Sequence, residues 1–266
     1  MQPLPTLGDS HVQAWESIQN EARAMVLHEP FLSKLLTRII LEPQNFQDAL
    51  ALWLADILAS QDVGKDACEL LFKDALNADR SISFSAARDL TVVHARDPAC
   101  TTQTHAFLNY KGFQAVQAHR IAHWLWKNNR TELASWLSSR VSFMLGPDIH
   151  PAARMGAGIM LDHGAGIVIG ETAVVEDDVS ILQNVTLGGT GKITGDRHPK
   201  VRRGVMIGAG AKIIGNVEIG AYSKVAAGSV VLKDVPTRST VAGIPAQVVR
   251  IHPKEEVPSE CMDQCY

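Results

Sequence analysis

Three of the chain's ten histidines, His150, His163 and His198, stand where an otherwise regular pattern breaks. Interruptions of a regular scaffold are where functional side chains concentrate. A histidine with an ordinary pKa of about 6.5 suits general-base chemistry at cellular pH, above all when a carboxylate holds its second nitrogen. Asp148 and Asp162 are the carboxylates placed for that task. The plainer alternative is that His163 caps a turn and His198 solvates a loop. His119 and His123, four apart on one helical stretch, have a spacing that can bind metal. No Glu completes His-Glu-x-x-His, and Ile121 and Trp124 adjoin them, so helix packing is the expected role. His11, His28, His94, His105 and His252 stand alone and take structural readings. Cys261 and Cys265 lie in a polar tail with no framework spacing, and no metal site is expected.

The pattern being interrupted has a period of six. Ile207, Ile213, Ile219, Val225 and Val231 recur without a miss, and Ala211, Val217, Ser223, Ser229 and Val235 are the fifth residues of their blocks. A second run has Ile169, Val175, Ile181 and Leu187 in the lead, and a weaker one has Ile149, Met155 and Leu161. This is neither an amphipathic helix nor simple strand alternation. It is the hexapeptide signature of a parallel β-helix, with the repeated aliphatic inward and small residues at the corners. From Leu161 to Ile169 the step is eight, a two-residue insertion beside His163. From Leu187 to Ile207 it is twenty, and the polar, glycine-rich segment 188–204 reads as a loop leaving the coil.

Ahead of Pro147 the period is helical instead. Asp9 or Ser10 caps a helix running to Leu27, and further helices carry Phe31–Ile40, Ala49–Leu58, Ala67-Leu70-Leu71-Leu76, Ala86-Leu90-Val93, Phe113–Leu125 and Leu133–Met144. The expected architecture is therefore an α+β chain of two domains. An all-helical domain occupies 1–146 and a parallel β-helix 147–250, followed by a flexible polar tail, 251–266. A length of 266 residues and 46% hydrophobic content support two cores. A net charge of −3 argues against nucleic acid or anionic membrane as partner, and no apolar run approaches a membrane span. The N-terminus has no signal-peptide pattern, so a cytoplasmic location with reduced cysteines is expected.

Four motifs, in order, carry a resemblance: Asp148-Ile-His-Pro, Leu161-Asp-His-Gly-Ala-Gly, Gly188-Gly-Thr-Gly-Lys and Gly195-Asp-Arg-His-Pro-Lys. With Arg96-Asp-Pro-Ala and Lys111-Gly-Phe-Gln-Ala-Val-Gln-Ala-His-Arg-Ile-Ala-His-Trp, the chain resembles bacterial serine O-acetyltransferase over roughly residues 10–250. The resemblance implies a left-handed β-helix and transfer of acetyl from acetyl-CoA to the hydroxyl of L-serine, giving O-acetylserine for cysteine biosynthesis. It implies His163 as general base, oriented by Asp148. Arg197 and His198 would hold the substrate, with the fork of Arg197 on its carboxylate, and Asp97 and Asp162 would receive its ammonium. Gly189, Ala209 and Ala227 would border the acetyl-CoA arm, with Lys224 near its phosphates. No permanently bound cofactor is implied; acetyl-CoA is a co-substrate. L-cysteine would inhibit at the serine site, and trimers would pair into hexamers through the helical domains, where Trp53, Trp124, Trp126 and Trp136 serve core or pairing. Many members end in an Ile that enters O-acetylserine sulfhydrylase. The last residues here, Asp263-Gln-Cys-Tyr266, depart from the pattern on which that partnership rests. Two other classes are a zinc enzyme like γ-carbonic anhydrase, whose His-x4-His spacing is missing from 148–236, and a non-catalytic scaffold.

Overall fold

The structure is a computed structural model describing residues 7–192, 194–253 and 256–263, with only the backbone for 7–10. Cys265 and the extreme ends of the chain lie outside the described residues. The first half is helical: α1 (Leu7–His28), α2 (Ser33–Leu36), α3 (Phe46–Leu58), α4 (Lys65–Ala78), α5 (Arg80–Arg96), α6 (Gln103–Asn109), α7 (Lys111–Lys127) and α8 (Thr131–Leu145). A 3-10 turn (Pro30–Leu32) and a π turn (Thr37–Leu41) flank α2. Helix α1 starts two residues before the expected Asp9 cap. Helix α4 buries Cys68, Phe72, Ala75 and Leu76, whereas Leu70 faces outward, so the expected stripe was rotated. Helix α6, absent from the expectation, is capped by the Thr102 hydroxyl, which accepts the His105 N–H.

From Asp148 onward, two- and three-residue strands stack into three parallel sheets. The first holds β1 (Asp148–Ile149), β4 (Val168–Ile169), β7 (Thr186–Gly188), β10 (Lys212–Ile214) and β13 (Val230–Val231). The second holds β2 (Arg154–Met155), β5 (Val174–Val175), β8 (Lys200–Val201) and β11 (Glu218–Ile219). The third holds β3 (Met160–Leu161), β6 (Ser180–Ile181), β9 (Met206–Ile207), β12 (Lys224–Val225) and β14 (Ser239–Gly243), closed by antiparallel β15 (Ala246–Ile251). The hexad leaders Ile149, Leu161, Ile169, Val175, Ile181, Leu187, Ile207, Ile213, Ile219, Val225 and Val231 are all buried in one core.

Pairing partners such as Val168 with Thr186 and Lys212 with Val230 lie eighteen residues apart, one coil. Asp148 pairs with Val168, two residues further, and Thr186 with Lys212, eight further. The two insertions are thereby confined to the turn holding His163 and to the segment between β7 and β8. That segment is shorter than the expected 188–204. Lys200–Val201 is strand β8, with Val201 fully buried and paired to Val175 and Ile219. Its flanking Lys200 and Arg202 point away from the core and disguise it as loop.

The tail expected to be flexible is docked over part of its length. Pro258–Cys261 forms a short helix, α9, with Pro258 and Ser259 buried, and the Ser180 hydroxyl donates to the Ser259 carbonyl at 2.9 Å. His252 is buried against the Thr240 hydroxyl at 2.7 Å. Pro258, Met262 and the buried His252 give this stretch something to pack, despite its polar composition.

The helical half is seated on the first coils by a buried polar knot. Asp89 of α5 accepts from Arg120 at 2.8 Å and Gln117 at 2.9 Å, both on α7, and from the Ile159 N–H at 2.8 Å. Burial pushes the Asp89 carboxyl up and the Arg120 charge opposes it. Arg96 at the end of α5 donates to Ser180 at 3.0 Å and to the Gly158 carbonyl at 3.3 Å. His119 donates to the Ala153 carbonyl across 3.1 Å and His123 pairs with that of Pro151 across 2.8 Å, so both serve packing, as expected. Gly112 brings α7 against β3, since a Cβ there would meet the Leu161 carbonyl oxygen at 1.9 Å.

Candidate active site

Where the third sheet turns into the first, the two extra residues form a bend that the regular hexad lacks. His163 lies at φ +57°, a left-handed conformation that non-glycine residues seldom adopt, and glycines 164 and 166 follow it at positive φ. The bend pushes the imidazole out of the wall, leaving the side chain 74% exposed with its Nε2 3.8 Å from Asp162 Oδ1. The close seat of α7 at Gly112 brings the junction of α6 and α7 over this turn. Asp97, Tyr110, Lys111, Gly112, Leu161, Asp162 and His163 line one cavity of about 440 Å³. Burial pushes the Asp162 carboxyl up; the His163 ring opposes this and the Asp97 charge adds to it. Asp97, Asp162 and His163, selected from sequence, are thus brought together.

Arg197, His198 and Asp148 are not part of that group. Arg197 and His198 lie where the first sheet turns into the second, across a sheet from His163, while Asp148 opens strand β1 within the first sheet. The Thr172 hydroxyl accepts the backbone N–H groups of Arg197 at 3.0 Å and His198 at 3.1 Å, pinning the end of the extruded loop. The Thr172 N–H donates to His198 Nδ1 at 3.1 Å, which leaves the ring proton of the neutral form on Nε2. His198 rests on Gly170, where a Cβ would meet its ring at 2.0 Å. Burial, reinforced by the Arg197 charge, pulls the His198 pKa down, while Glu171 opposes. Arg197 is paired with Glu171 at 2.6 Å. His150 Nδ1 accepts the Ala152 N–H at 3.1 Å, and burial lowers its pKa too. Asp148 is exposed and shares a cavity of about 500 Å³ with Ser135, Ser138, Ser142, Phe143 and His150. Among the described residues, no hydrogen bond or ion pair joins these groups to Asp162 or His163.

Glu171 and Thr172 escaped the sequence reading, although both lie in the turn right after the hexad leader Ile169. Of the residues expected along acetyl-CoA, Ala209 and Ala227 stack in successive turns on the same edge as His163, with the Gly228 N–H on the Ala209 carbonyl at 2.8 Å. Gly189 lies instead at the root of the extruded loop, where a Cβ would be 3.3 Å from both Arg197 and His198. Lys224 is only 4% exposed and lies near the docked terminal segment, where burial lowers the pKa of His252 and the Lys224 charge adds a little to that shift. Among the described residues, no cluster of three metal-ligating side chains occurs and no helix is long and apolar enough to cross a membrane.

A parallel β-helix of hexads, with an exposed histidine at one corner and an extruded loop at the next, defines the hexapeptide-repeat class of acyl transferases. Residues 198–233 match the family described as bacterial transferase hexapeptide (six repeats), and residues 14–118 match serine acetyltransferase, N-terminal. The serine acetyltransferase of Salmonella typhimurium is 52% identical over 250 residues, 94% of this chain and 91% of that protein. A serine acetyltransferase solved in complex with cysteine superposes with a TM-score of 0.94 at 47% identity, covering 96% of this chain and 99% of the other. The Brucella abortus enzyme in complex with coenzyme A gives a TM-score of 0.89 at 48% identity over 91% and 96%. The chain belongs to the serine acetyltransferase family.

Proposed function

We propose that the chain moves acetyl from acetyl-CoA to the L-serine hydroxyl at a site completed by a second copy of itself, with His163 as general base. The observation that carries this reading is the separation of the two corners. His163, Asp162 and Asp97 form a cavity without a cationic partner for a carboxylate other than the exposed Lys111, while Arg197 and His198 lie on the far side of the first sheet. An amino-acid substrate needs both sets. Stacking copies side by side, corner to corner, supplies the missing half.

In that arrangement the substrate ammonium lies between Asp97 and Asp162. Its carboxylate takes the guanidinium of Arg197, drawn from Glu171, and the Nε2–H of His198. His163 accepts the proton of the serine hydroxyl as that oxygen attacks the thioester carbonyl carbon. The C–S bond then breaks and the imidazolium returns the proton to the CoA sulfur. Asp148 from the neighbouring copy orients the His163 ring, as the carboxylate does in a Ser-His-Asp triad, with the substrate supplying the serine. The acetyl-CoA arm follows the edge of Ala209 and Ala227, with Gly189 at the loop root. Lys224 reaches the phosphates only if the docked terminal segment yields.

Cysteine, which differs from serine only by sulfur for oxygen, fits the same contacts and inhibits there. Three copies close the ring of sites, and the helical halves, residues 1–146, pair two rings. The β-helix, 147–250, carries the acetyl-CoA edge, and no resident cofactor takes part. The test is complementation. Co-expressed His163→Ala and Arg197→Ala chains should regain a substantial share of activity, since a mixed assembly contains sites with both intact halves. Failure to regain any activity from assemblies shown to be mixed would place all the groups in one chain.

A further inference from the structure

The cavity beside His163 contains a side chain that the reaction as derived leaves idle. Tyr110 closes the end of α6 and opens α7, and its hydroxyl donates to Asp97 Oδ2 at 2.7 Å. Asp97 needs such a partner. It is the residue after the last turn of α5, at φ −98° and ψ 110°, tied to the helix only through its N–H on the Val93 carbonyl at 3.0 Å. Its Oδ1 accepts the N–H of Ala99 at 2.8 Å, and its carbonyl takes the N–H of Cys100 at 3.0 Å. Those bonds come from its own turn and fix one carboxylate oxygen only. The second oxygen is aimed from a different element, across the cavity wall, by the phenol.

The phenol is itself well held. Its ring packs edge-on against His105 at 5.4 Å, and Gly112, two residues on, locks the start of α7 to β3. Burial first, and the Asp97 carboxylate second, push the Tyr110 pKa up, so the hydroxyl remains a donor throughout the neutral range. Opposite Asp97, Asp162 feels the Asp97 charge across the same cavity. Two carboxylates facing one space repel unless a cation lies between them. The direction in which Asp97 points therefore decides how well an ammonium is received.

Resting on the reading that Asp97 and Asp162 receive the substrate ammonium, we propose that Tyr110 is the positioning residue that aims the Asp97 carboxylate and so sets selectivity for an α-amino acid acceptor. The phenol does not touch the reacting atoms; it acts through Asp97.

The experiment uses the full chain, with Tyr110→Phe and Asp97→Asn measured side by side for kcat, KM for L-serine, KM for acetyl-CoA and melting temperature. Tyr110→Phe keeps the ring and removes only the donor. The expected result is a rise of about tenfold in KM for L-serine, the scale of one hydrogen bond to a charged group. The kcat should stay within about twofold, and the KM for acetyl-CoA should be unchanged. An unchanged serine KM overturns the proposal. So does a parallel loss in kcat and in both KM values, which would mark Tyr110 as a packing residue. Asp97→Asn separates this from the underlying reading. If it raises the serine KM and Tyr110→Phe does not, the role of Tyr110 alone is wrong. If Asp97→Asn leaves the serine KM untouched, the ammonium assignment itself falls.

Discussion

The two corners that carry the candidate site are built by opposite means. At the His163 corner the wall of the β-helix contributes a strained two-residue bend, and the helical half supplies everything that faces it. Its carboxylates are held only by their neighbours, Asp97 by Tyr110 and the Ala99 N–H and Asp162 by His163, and among the described residues no Lys or Arg pairs with them. At the Arg197 corner the chain closes on itself. Thr172 pins the loop backbone, Glu171 takes the guanidinium, and Lys200 donates to the carbonyls of Thr172 at 2.9 Å and His198 at 2.7 Å. One corner is left open as a cavity; the other holds a loop in shape, and in the proposed reading a substrate carboxylate competes with Glu171 for Arg197. Preorganisation of that kind puts the cost of ordering into folding rather than into binding.

Breaking the open corner should have the largest effect. His163→Ala is expected to lower kcat by about 10²–10⁴-fold, the range for a general base, with assembly size by light scattering unaltered. Unchanged turnover would remove His163 as the base. Next, Asp89→Ala takes the carboxylate from the knot that seats the helical half on the turn between β2 and β3, and leaves Arg120 buried without its carboxylate partner. A loss of about 3–5 kcal/mol in unfolding free energy is expected by denaturant titration, against a minor change for the surface pair Arg203–Asp177.

At the closed corner, Glu171→Gln should alter serine KM only a few-fold, because it frees Arg197 while loosening its aim. A loss as large as that from His163→Ala would mean that the loop pair, not the imidazole, limits turnover.

The smallest expected effect concerns acid. Burial pulls the His119 pKa from 6.5 to about 3, with neighbouring cationic groups adding to the shift. Below pH 6.5 the unfolded chain then binds a proton that the folded chain refuses, so stability falls as pH drops from 6.5 toward about 3. His119→Asn should flatten that slope in melting curves recorded across the interval, and an unchanged slope would exclude the ring as its source.

The frame of the fold was legible because twelve leaders fall into three runs of six-residue steps and all but the half-buried Met155 are buried. What escaped was short or masked by charge. Val201 keeps the phase, six residues before Ile207 and with Val205 as its fifth residue, but Lys200 and Arg202 hide it. The docking of the terminal segment rests on contacts from distant parts of the chain, the Ser180 hydroxyl, Arg238 and the helical core under Met262, which no local pattern announces. For the site, the insertion announced the His163 bend, and the motifs announced Asp97 and Asp162, which line the same cavity, while Asp148, Arg197 and His198 lie apart from it. Tyr110 and Thr172 remained invisible because their contribution is a hydrogen bond across the fold, and hydroxyls on helix ends and turns have no periodicity to betray them.

The antiparallel strand β15 has a consequence for how the protein ends. Every coil of a β-helix offers the next an unpaired edge, and a bare edge is a template for another chain. At the start, Val116 of α7 enters the β-helix core and roofs the first coil. At the finish, β15 runs against the direction of β14, pairing Ser239 with Ile251 through Gly243 with Ala246. The third sheet, terminated by a reversed strand, cannot take a further parallel strand in register. Truncation before Ala246 should therefore bare the edge of β14 and let two particles pair through their finishing ends, visible as a doubling of scattering mass at high protein concentration.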